Sequence, residues 1–573
     1  MYRTEYPRPE LVRDSFMNLN GSWDFAFDYN KVGREKQWQL NPAIFDKKIE
    51  VPFCPESKLS GLGHTDYINA CWYRRTFCVP EEWKGKHVLL HFEASYYHTE
   101  VFVNGTLVGG HKGGYTPFSF DITSVLGEGE NVLVVYCQGD AKNRLEPSGK
   151  QCHLLNSAGC FYTRTTGIWQ TVWLECVPEV SVESVKIDPD PDNKSVAVCV
   201  HFTGRGSKNV VLKACYEGTL VGKVEGTTTL QSLTLVLPVS ELHLWDLDTP
   251  NLYDLGIAVE SSGQWDCVQS YFGMRKVEYD AKGLKLNGRY VFMRTVLDQG
   301  YYPEGILTAP SEEDLVKDIL LSKRAGFNGA RLHQKVFERR FLYHCDRLGY
   351  IVWGEYPSWG FDYSDTANTS IFCREWLEAV TRDYNHPAII GWIPMNENWG
   401  NQSNELVRTV YESTKLVDSY RPVIDASWHH HVVTDFYDTH DYEQDVNVFT
   451  QRFEKFTDGQ VYDGLKKEQP LQYNNATMPF FLSEYGGFKW PVSADGWGYG
   501  NAPRTEDEFE ERFNTFARVL LGNPDVCGLC YTQLYDVEQE QNGIYYYSRE
   551  TKFSEDRMDR MAQALRQKAA IEA

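Results

Sequence analysis

The chain is short of positive charge: 57 Lys and Arg stand against 79 Asp and Glu, a formal net charge of −22. A surface that acidic repels phosphate backbones and anionic lipid, so neither nucleic acid nor a membrane surface is expected as a partner. Long hydrophobic runs are also missing, and none approaches the roughly 18 consecutive apolar residues of a membrane-crossing helix. The opening Met1-Tyr-Arg-Thr-Glu-Tyr-Pro has no apolar stretch behind its arginine. No secretory signal is read there, and the expected location is cytoplasmic. The 14 cysteines lack regular spacing, and several (Cys199, Cys215, Cys267) lie in apolar strand-like runs. They read as buried thiols, not as a disulfide framework.

What is present fits a globular protein with a large core. Hydrophobic residues make up 42% and charged residues 24% of the 573, which excludes disorder, collagen and coiled coil. At roughly 150 residues per domain the length predicts about four domains, or fewer if one is large. The one compositional excess is aromatic: 16 Trp, 35 Tyr and 30 Phe, 14% of the chain.

Residues 1–178 read as all-β. Thr99-Glu-Val-Phe-Val-Asn-Gly-Thr-Leu-Val is two short strands around an Asn104-Gly105 hairpin turn. Further Gly and Pro punctuation at near-regular spacing suggests a β-sandwich or jelly roll. Residues 179–277 start a second β block, with Val180–Ile187, Val196–Phe202, Val210–Tyr216 and Leu230–Leu237 as alternating strands. Its size suits an immunoglobulin-like β-sandwich.

From residue 278 to 573 the rhythm becomes strand–helix alternation. Eight strand-like segments are predicted: Tyr290–Val296, Phe327–Leu332, Tyr350–Tyr356, Ala388–Met395, Pro422–Ala426, Phe436–His440, Phe480–Ser483 and Val526–Thr532. Ser311-Glu-Glu-Asp314 caps the first intervening helix. This pattern predicts a (β/α)8 TIM barrel. The segment 441–478 shows no clean helix and reads as a long loop.

Active sites of such barrels lie at the carboxyl ends of the strands. Taken in order, those ends supply Asp298, Arg331 with His333, Glu355, Asn396 with Glu397, Trp428, His440 with Tyr442, Glu484, and Tyr531 with Gln533. Trp353, Trp359, Trp428, Trp490 and Trp497 lie on or just past strand ends. Acids, amides and flat aromatic rings are the mixture a sugar requires, so the expected partner is a carbohydrate. Glu397 and Glu484 each follow a buried apolar strand, on strands four and seven, which face each other across the barrel mouth. Facing carboxylates are the machinery of retaining glycoside hydrolysis.

Several whole-chain motifs carry a resemblance. They are Trp72-Tyr-Arg-Arg-Thr-Phe, Val101-Phe-Val-Asn-Gly, Gly114-Tyr-Thr-Pro-Phe-Ser-Phe-Asp-Ile and Thr166-Gly-Ile-Trp-Gln-Thr-Val-Trp-Leu-Glu in the first domain. Leu244-Trp-Asp, Pro250-Asn-Leu-Tyr and Phe272-Gly-Met-Arg follow in the second. Leu286-Asn-Gly, Gly326-Phe-Asn-Gly-Ala-Arg, Cys345-Asp-Arg-Leu-Gly, Asn396-Glu397 and Ser483-Glu484-Tyr485-Gly486 complete the set in the barrel. In this order the sequence resembles glycoside hydrolase family 2, the β-galactosidase/β-glucuronidase group. The resemblance implies Glu397 as acid/base, Glu484 as nucleophile, Asn396 on the sugar 2-hydroxyl and Arg331 orienting the nucleophile. Trp392 and Trp399 are expected to give Glu397 apolar surroundings, and Tyr442 to help keep Glu484 ionised. Asp298, His333, Trp428, His440, Trp490 and Gln533 complete the expected substrate-binding set.

Two departures bear on the substrate. The stretch Arg294-Thr-Val-Leu-Asp-Gln-Gly-Tyr-Tyr-Pro-Glu lacks the Asn/His-rich character of better-known β-galactosidases. Gln541-Asn-Gly-Ile-Tyr-Tyr lacks the lysine of the Asn-x-Lys pair that clamps a glucuronide carboxylate, although Lys489 is placed to supply a charge. A terminal β-galactoside is therefore the first expectation. β-Glucuronidase, α-L-arabinosidase, β-galactofuranosidase and a non-catalytic carbohydrate-binding protein are the alternatives. The last predicts a missing glutamate, and both are present. No cofactor and no metal is expected. His429-His430-His431 point in different directions, Cys527 and Cys530 face opposite sides of a strand, and Asp188–Asp192 reads as a solvated turn. A homo-oligomer is compatible with the sequence.

Overall fold

A computed structural model describes residues 2–573 except 399, 429, 455, 457–470, 472, 475, 492 and 494. The expectations for Trp399, His429 and much of 441–478 therefore lie outside the described residues.

The N-terminal unit is two antiparallel sheets of four and six strands. Asn104 and Gly105, at φ of 50° and 80°, make the predicted hairpin turn between His98–Val103 and Thr106–Lys112. Trp23, Phe25, Tyr73, Leu90 and Val101 fill the space between the sheets. The next unit pairs a three-stranded with a four-stranded antiparallel sheet. Strict alternation along Tyr253–Ser261 sends Tyr253, Leu255, Ile257 and Val259 inward. Cys267 sits at an outward position of its strand and is exposed, while Cys199 and Cys215 are half-buried. The expectation of buried thiols fails there because alternation, not local hydrophobicity, decides which face is covered.

The third unit is the barrel. Among the described residues its sheet holds seven parallel strands. Their order is Ile389–Ile393, Ile351–Glu355, Gly329–Leu332, Met293–Asp298, Val526–Thr532, Phe480–Gly486 and Tyr437–Asp441. The predicted strand Pro422–Ala426 stands between the two ends of that order but pairs only through isolated parallel bridges, Trp392 with Val423 and Asn396 with Ser427. Pro394 and Pro422 cannot donate to a ladder, which explains the interruption. The first barrel strand starts at Met293, because Arg289–Tyr290 pairs instead with Gly283–Leu286 in a small antiparallel sheet. A helix, Val446–Glu454, occupies part of the segment read as loop, its Phe449 and Phe453 buried. Its hydrophobic face is short enough to escape a period search.

Ser311 Oγ accepts from the Asp314 N–H and caps the helix Glu312–Arg324. Trp353 lies inside the barrel, stacked 5.9 Å from Phe481, and forms core instead of a pocket wall. Gly391 makes room for it, since a Cβ there would meet the Trp353 ring at 2.2 Å. Trp392 is equally buried, its indole N–H donating to Asp418 at 2.8 Å. It therefore does not surround Glu397. Both thiols of Cys527 and Cys530 are buried within the strand Val526–Thr532.

Candidate active site

Parallel strands bring their carboxyl ends to one rim, and the backbone there is unusual. Glu397 has φ 46° and Trp428 φ 83°, in the left-handed region that residues with a Cβ seldom occupy. Glu397 N–H donates to Ser427 O at 2.8 Å and Ser427 N–H to Met395 O at 2.9 Å, which holds the two turns side by side. Glu484 is inside its strand, in register with His440 on the neighbouring one. The chain leaves that strand at Gly486, φ 82°, where a Cβ would strike the Tyr531 ring at 2.4 Å.

These elements bring the two glutamates together around a histidine. One donor atom from each of Glu397, His440 and Glu484 lies within 4.8 Å of the others. His440 Nδ1 is 2.9 Å from Glu397 Oε1 and 3.4 Å from Glu484 Oε2. Divalent cations use such donors, but Arg331 Nη1 is 3.1 Å from Glu484 Oε1, and its charge opposes a cation in the same place.

Arg331 is fully buried and organises the floor. Its Nε donates to Glu355 Oε2 at 2.8 Å, Nη1 to Ser427 Oγ and Ser483 O at 2.9 Å each, and Nη2 to Asn396 Oδ1 at 2.8 Å. Burial pushes the Glu355 carboxyl up, but Arg331 and His333 together bring it down to about 2. His333 Nδ1 lies 3.0 Å from Glu355, and burial lowers the pKa of its imidazole. Asn396 Nδ2 is buried and has no partner among the described residues, a donor left for a ligand.

The environment of Glu484 favours the anion. Burial raises its pKa, yet the charges of His440, Arg331 and His333 and the hydrogen bond from Tyr442 hold it below the ordinary glutamate value. Tyr442 Oη donates to Glu484 Oε2, and its ring stacks on Tyr499 at 3.4 Å and 4°. The rings of Trp428 and His440 lie 5.9 Å apart and nearly parallel. Trp359 donates its indole N–H to Asn396 O at 3.0 Å.

Three predicted substrate-binding residues bond neither glutamate among the described residues and turn to other partners. Asp298 is buried, its Oδ1 accepting from Gly300 N–H and from Tyr535 Oη at 2.6 Å. Burial raises its pKa, to about 6. Gln533 is fully buried between Gln299 and Asn542. Trp490 packs on Phe509 and Phe553, on the side of the helices Glu506–Gly522 and Glu555–Leu565. Reading strand ends locates a residue near the rim but leaves its direction open. Conversely, Glu540, Tyr499 and the jelly-roll residue Lys150 lie near the glutamates and were missed. A groove of about 860 Å³ between the helices Glu312–Arg324 and Arg339–Leu348 lies on the barrel's outside.

Family models match all three units. Residues 16–174 match the sugar binding domain of glycosyl hydrolases family 2, 180–275 a second family 2 domain, and 279–494 its TIM barrel domain. The chain belongs to glycosyl hydrolases family 2. Within the family it is 25% identical over 495 residues to a β-galactosidase of Thermoanaerobacterium thermosulfurigenes, covering 83% of this chain and 65% of that one. It is 22% identical over 569 residues to a β-glucuronidase of Streptococcus agalactiae, covering 91% and 90%. The chain spans about half to two thirds of the length of several curated family 2 relatives. The fold is shared with a β-glucuronidase of Ruminococcus gnavus at a TM-score of 0.79 and 20% identity, covering 98% of this chain and all of that one.

Proposed function

We propose that this family 2 chain is a retaining, exo-acting β-glycosidase that removes a non-reducing terminal sugar by double displacement. The observation that carries the reading is the carboxylate pair, with donor oxygens within 4.8 Å of each other. Retaining enzymes place the two groups roughly 5 Å apart, whereas inverting ones leave roughly 6.5–9.5 Å for a water. Glu484, held as the anion, is the nucleophile, and Glu397 is the acid/base.

In the first step a Glu484 oxygen bonds the anomeric carbon as the glycosidic C–O bond breaks, and Glu397 gives its proton to the leaving oxygen. In the second, Glu397 takes a proton from water, whose oxygen bonds the same carbon as the Glu484 ester breaks. Asn396 Nδ2 donates to the 2-hydroxyl, where hydrogen bonds strengthen in the transition state. Arg331 and Tyr442 fix the direction of the nucleophile. All this acts at C1 and C2, so it does not choose between a β-galactoside and a β-glucuronide, the activities named for the relatives.

The test is a panel of nitrophenyl β-galactoside, β-glucoside, β-glucuronide and α-L-arabinoside with the wild type, Glu484→Gln and Glu397→Gln. Glu484→Gln is expected to lose roughly 10⁴-fold or more in kcat. Glu397→Gln should lose far more on alkyl than on nitrophenyl glycosides, since nitrophenolate leaves without a proton. Proton NMR on a β-glycoside should show the β-anomer released first. No turnover on any sugar, or the α-anomer first from a β-glycoside, overturns the reading.

A further inference from the structure

One buried cation beside the glutamates has no task in the chemistry at C1. Lys150 belongs to the jelly-roll segment 139–166, between the strands Glu130–Gln138 and Gly167–Ile168. That segment is clamped to the barrel. Ser148 and Gly149 N–H donate to Trp359 O at 2.9 and 3.1 Å. Gly149 has φ 59°, and a Cβ there would meet Gln334 O at 2.5 Å, so the backbone must approach this closely.

Lys150 is 5% exposed, and its ammonium sits 4.3 Å from the centre of the Trp359 ring. Trp359 is itself bonded to Asn396 O, so the ammonium, the indole and the Asn396–Glu397 turn form one continuous wall. The ammonium makes no hydrogen bond or ion pair among the described residues, and its charge is felt by Glu397, Glu484, Glu540 and His333. Glu540, another buried acid, already accepts from Tyr162 Oη and Asn542 Nδ2. Arg331, a second buried cation of the pocket, is occupied by Glu355, Asn396 and Glu484. A buried ammonium without a bonded anion is costly, so a position that a ligand's anion would complete is informative.

We propose that Lys150 is a specificity-determining residue that binds an acidic substituent of the terminal sugar, a carboxylate on C5, and so makes uronides the preferred glycosides. The proposal rests on the glycosidase reading above. It also resolves an electrostatic difficulty. A chain of net charge −22 repels an acidic sugar unless a local cation offsets the field, and Lys150 supplies that cation from the domain that the barrel motifs do not cover.

The test compares the full-length wild type, Lys150→Met, Lys150→Arg and Lys489→Met, each checked for an unchanged melting temperature. The substrates are nitrophenyl β-glucuronide, β-galacturonide, β-galactoside, β-glucoside and 6-sulfated β-galactoside. Lys150→Met is expected to lose about 100-fold in kcat/KM on uronides, mostly in KM, and less than about threefold on neutral sugars. Lys150→Arg should recover part of the loss. Equal losses on acidic and neutral sugars overturn the proposal, as does a uronide preference lost in Lys489→Met instead. Lys150-dependent turnover of the sulfated galactoside without the uronides overturns the carboxylate assignment. Turnover of neutral glycosides alone refutes the role of Lys150 and leaves the glycosidase reading standing. If no glycoside turns over, that reading falls. Lys150-dependent thermal stabilisation by free glucuronate or galacturonate, absent with galactose, then supports the contact by itself, and its absence refutes it.

Discussion

Tyr442→Phe isolates one of the influences that hold Glu484 ionised. The hydroxyl donates to Glu484 Oε2 and lies 3.0 Å from Thr532 Oγ1, while the ring stacks on Tyr499 and stays in place without the oxygen. A hydrogen bond to a charged group contributes about 1.5–3 kcal/mol. At 1.36 kcal/mol per pH unit that is about one to two units of Glu484 acidity. The sign follows from the donor: it stabilises the anion and lowers the pKa, so its loss raises the pKa. Arg331 and His440 remain, so Glu484 should still ionise below neutrality. The acid limb of kcat/KM against pH, measured on a nitrophenyl glycoside, should therefore move upward by about one to two units, with the plateau lowered less. Thr532 loses a neutral partner, which costs about 1 kcal/mol of stability and sets the control by urea unfolding. An acid limb that stays in place while the plateau falls would refute the electrostatic role and leave Tyr442 only a packing one. A limb that moves downward would refute the assignment of Glu484 as the ionised partner.

Two further outcomes follow from other buried groups. Asn396→Ala should cut kcat/KM about 100-fold on glycosides with a free 2-hydroxyl and far less on their 2-deoxy analogues. Equal losses would place its role in holding Arg331 instead. His431 is fully buried, its Nδ1 2.7 Å from Asp425 and its Nε2 3.1 Å from Asp438. Burial lowers its pKa, but the two aspartates carry it up to about 10. Because the folded value is raised, the stabilisation is fully present below the unfolded pKa of about 6.5 and is lost as pH rises through about 10. His431→Asn should therefore cost on the order of 3–5 kcal/mol near neutrality, with the gap to wild type closing above about pH 10. A gap that urea unfolding finds constant across that range would contradict the ion-pair account.

The barrel was readable because the strands that lead to the two glutamates are apolar runs, Ile389–Ile393 before Asn396 and Glu397 and Phe480–Leu482 before Glu484. Burial on both faces writes hydrophobicity into every position, and a charge at the end of such a run is conspicuous. The same rule says nothing about direction. Asp298, Gln533 and Trp490 satisfy it and turn to Tyr535, Asn542 and Phe509. It also assumes an unbroken ladder, and Pro394 and Pro422 break the one beside Glu397. Lys150 carried no signal of its own. It is one lysine in a Gly- and Pro-containing stretch, and the docking of that stretch, Ser148 and Gly149 on Trp359 and Tyr162 on Glu540, brings it to the barrel.

That docking changes what the jelly roll does in the molecule. Near the reaction centre stand the acids Glu355, Glu397, Asp438, Glu484 and Glu540, and Arg331 is the cation shared by two of them, Glu355 and Glu484. A barrel that had only these groups would present an acidic mouth and repel any anionic sugar. The charge that offsets part of this comes from another domain, held by backbone hydrogen bonds and set against an indole bonded to the Asn396 carbonyl. Chemistry and selection are thus divided. The barrel fixes what happens at C1, and the jelly-roll segment can alter which sugar is accepted without moving either glutamate.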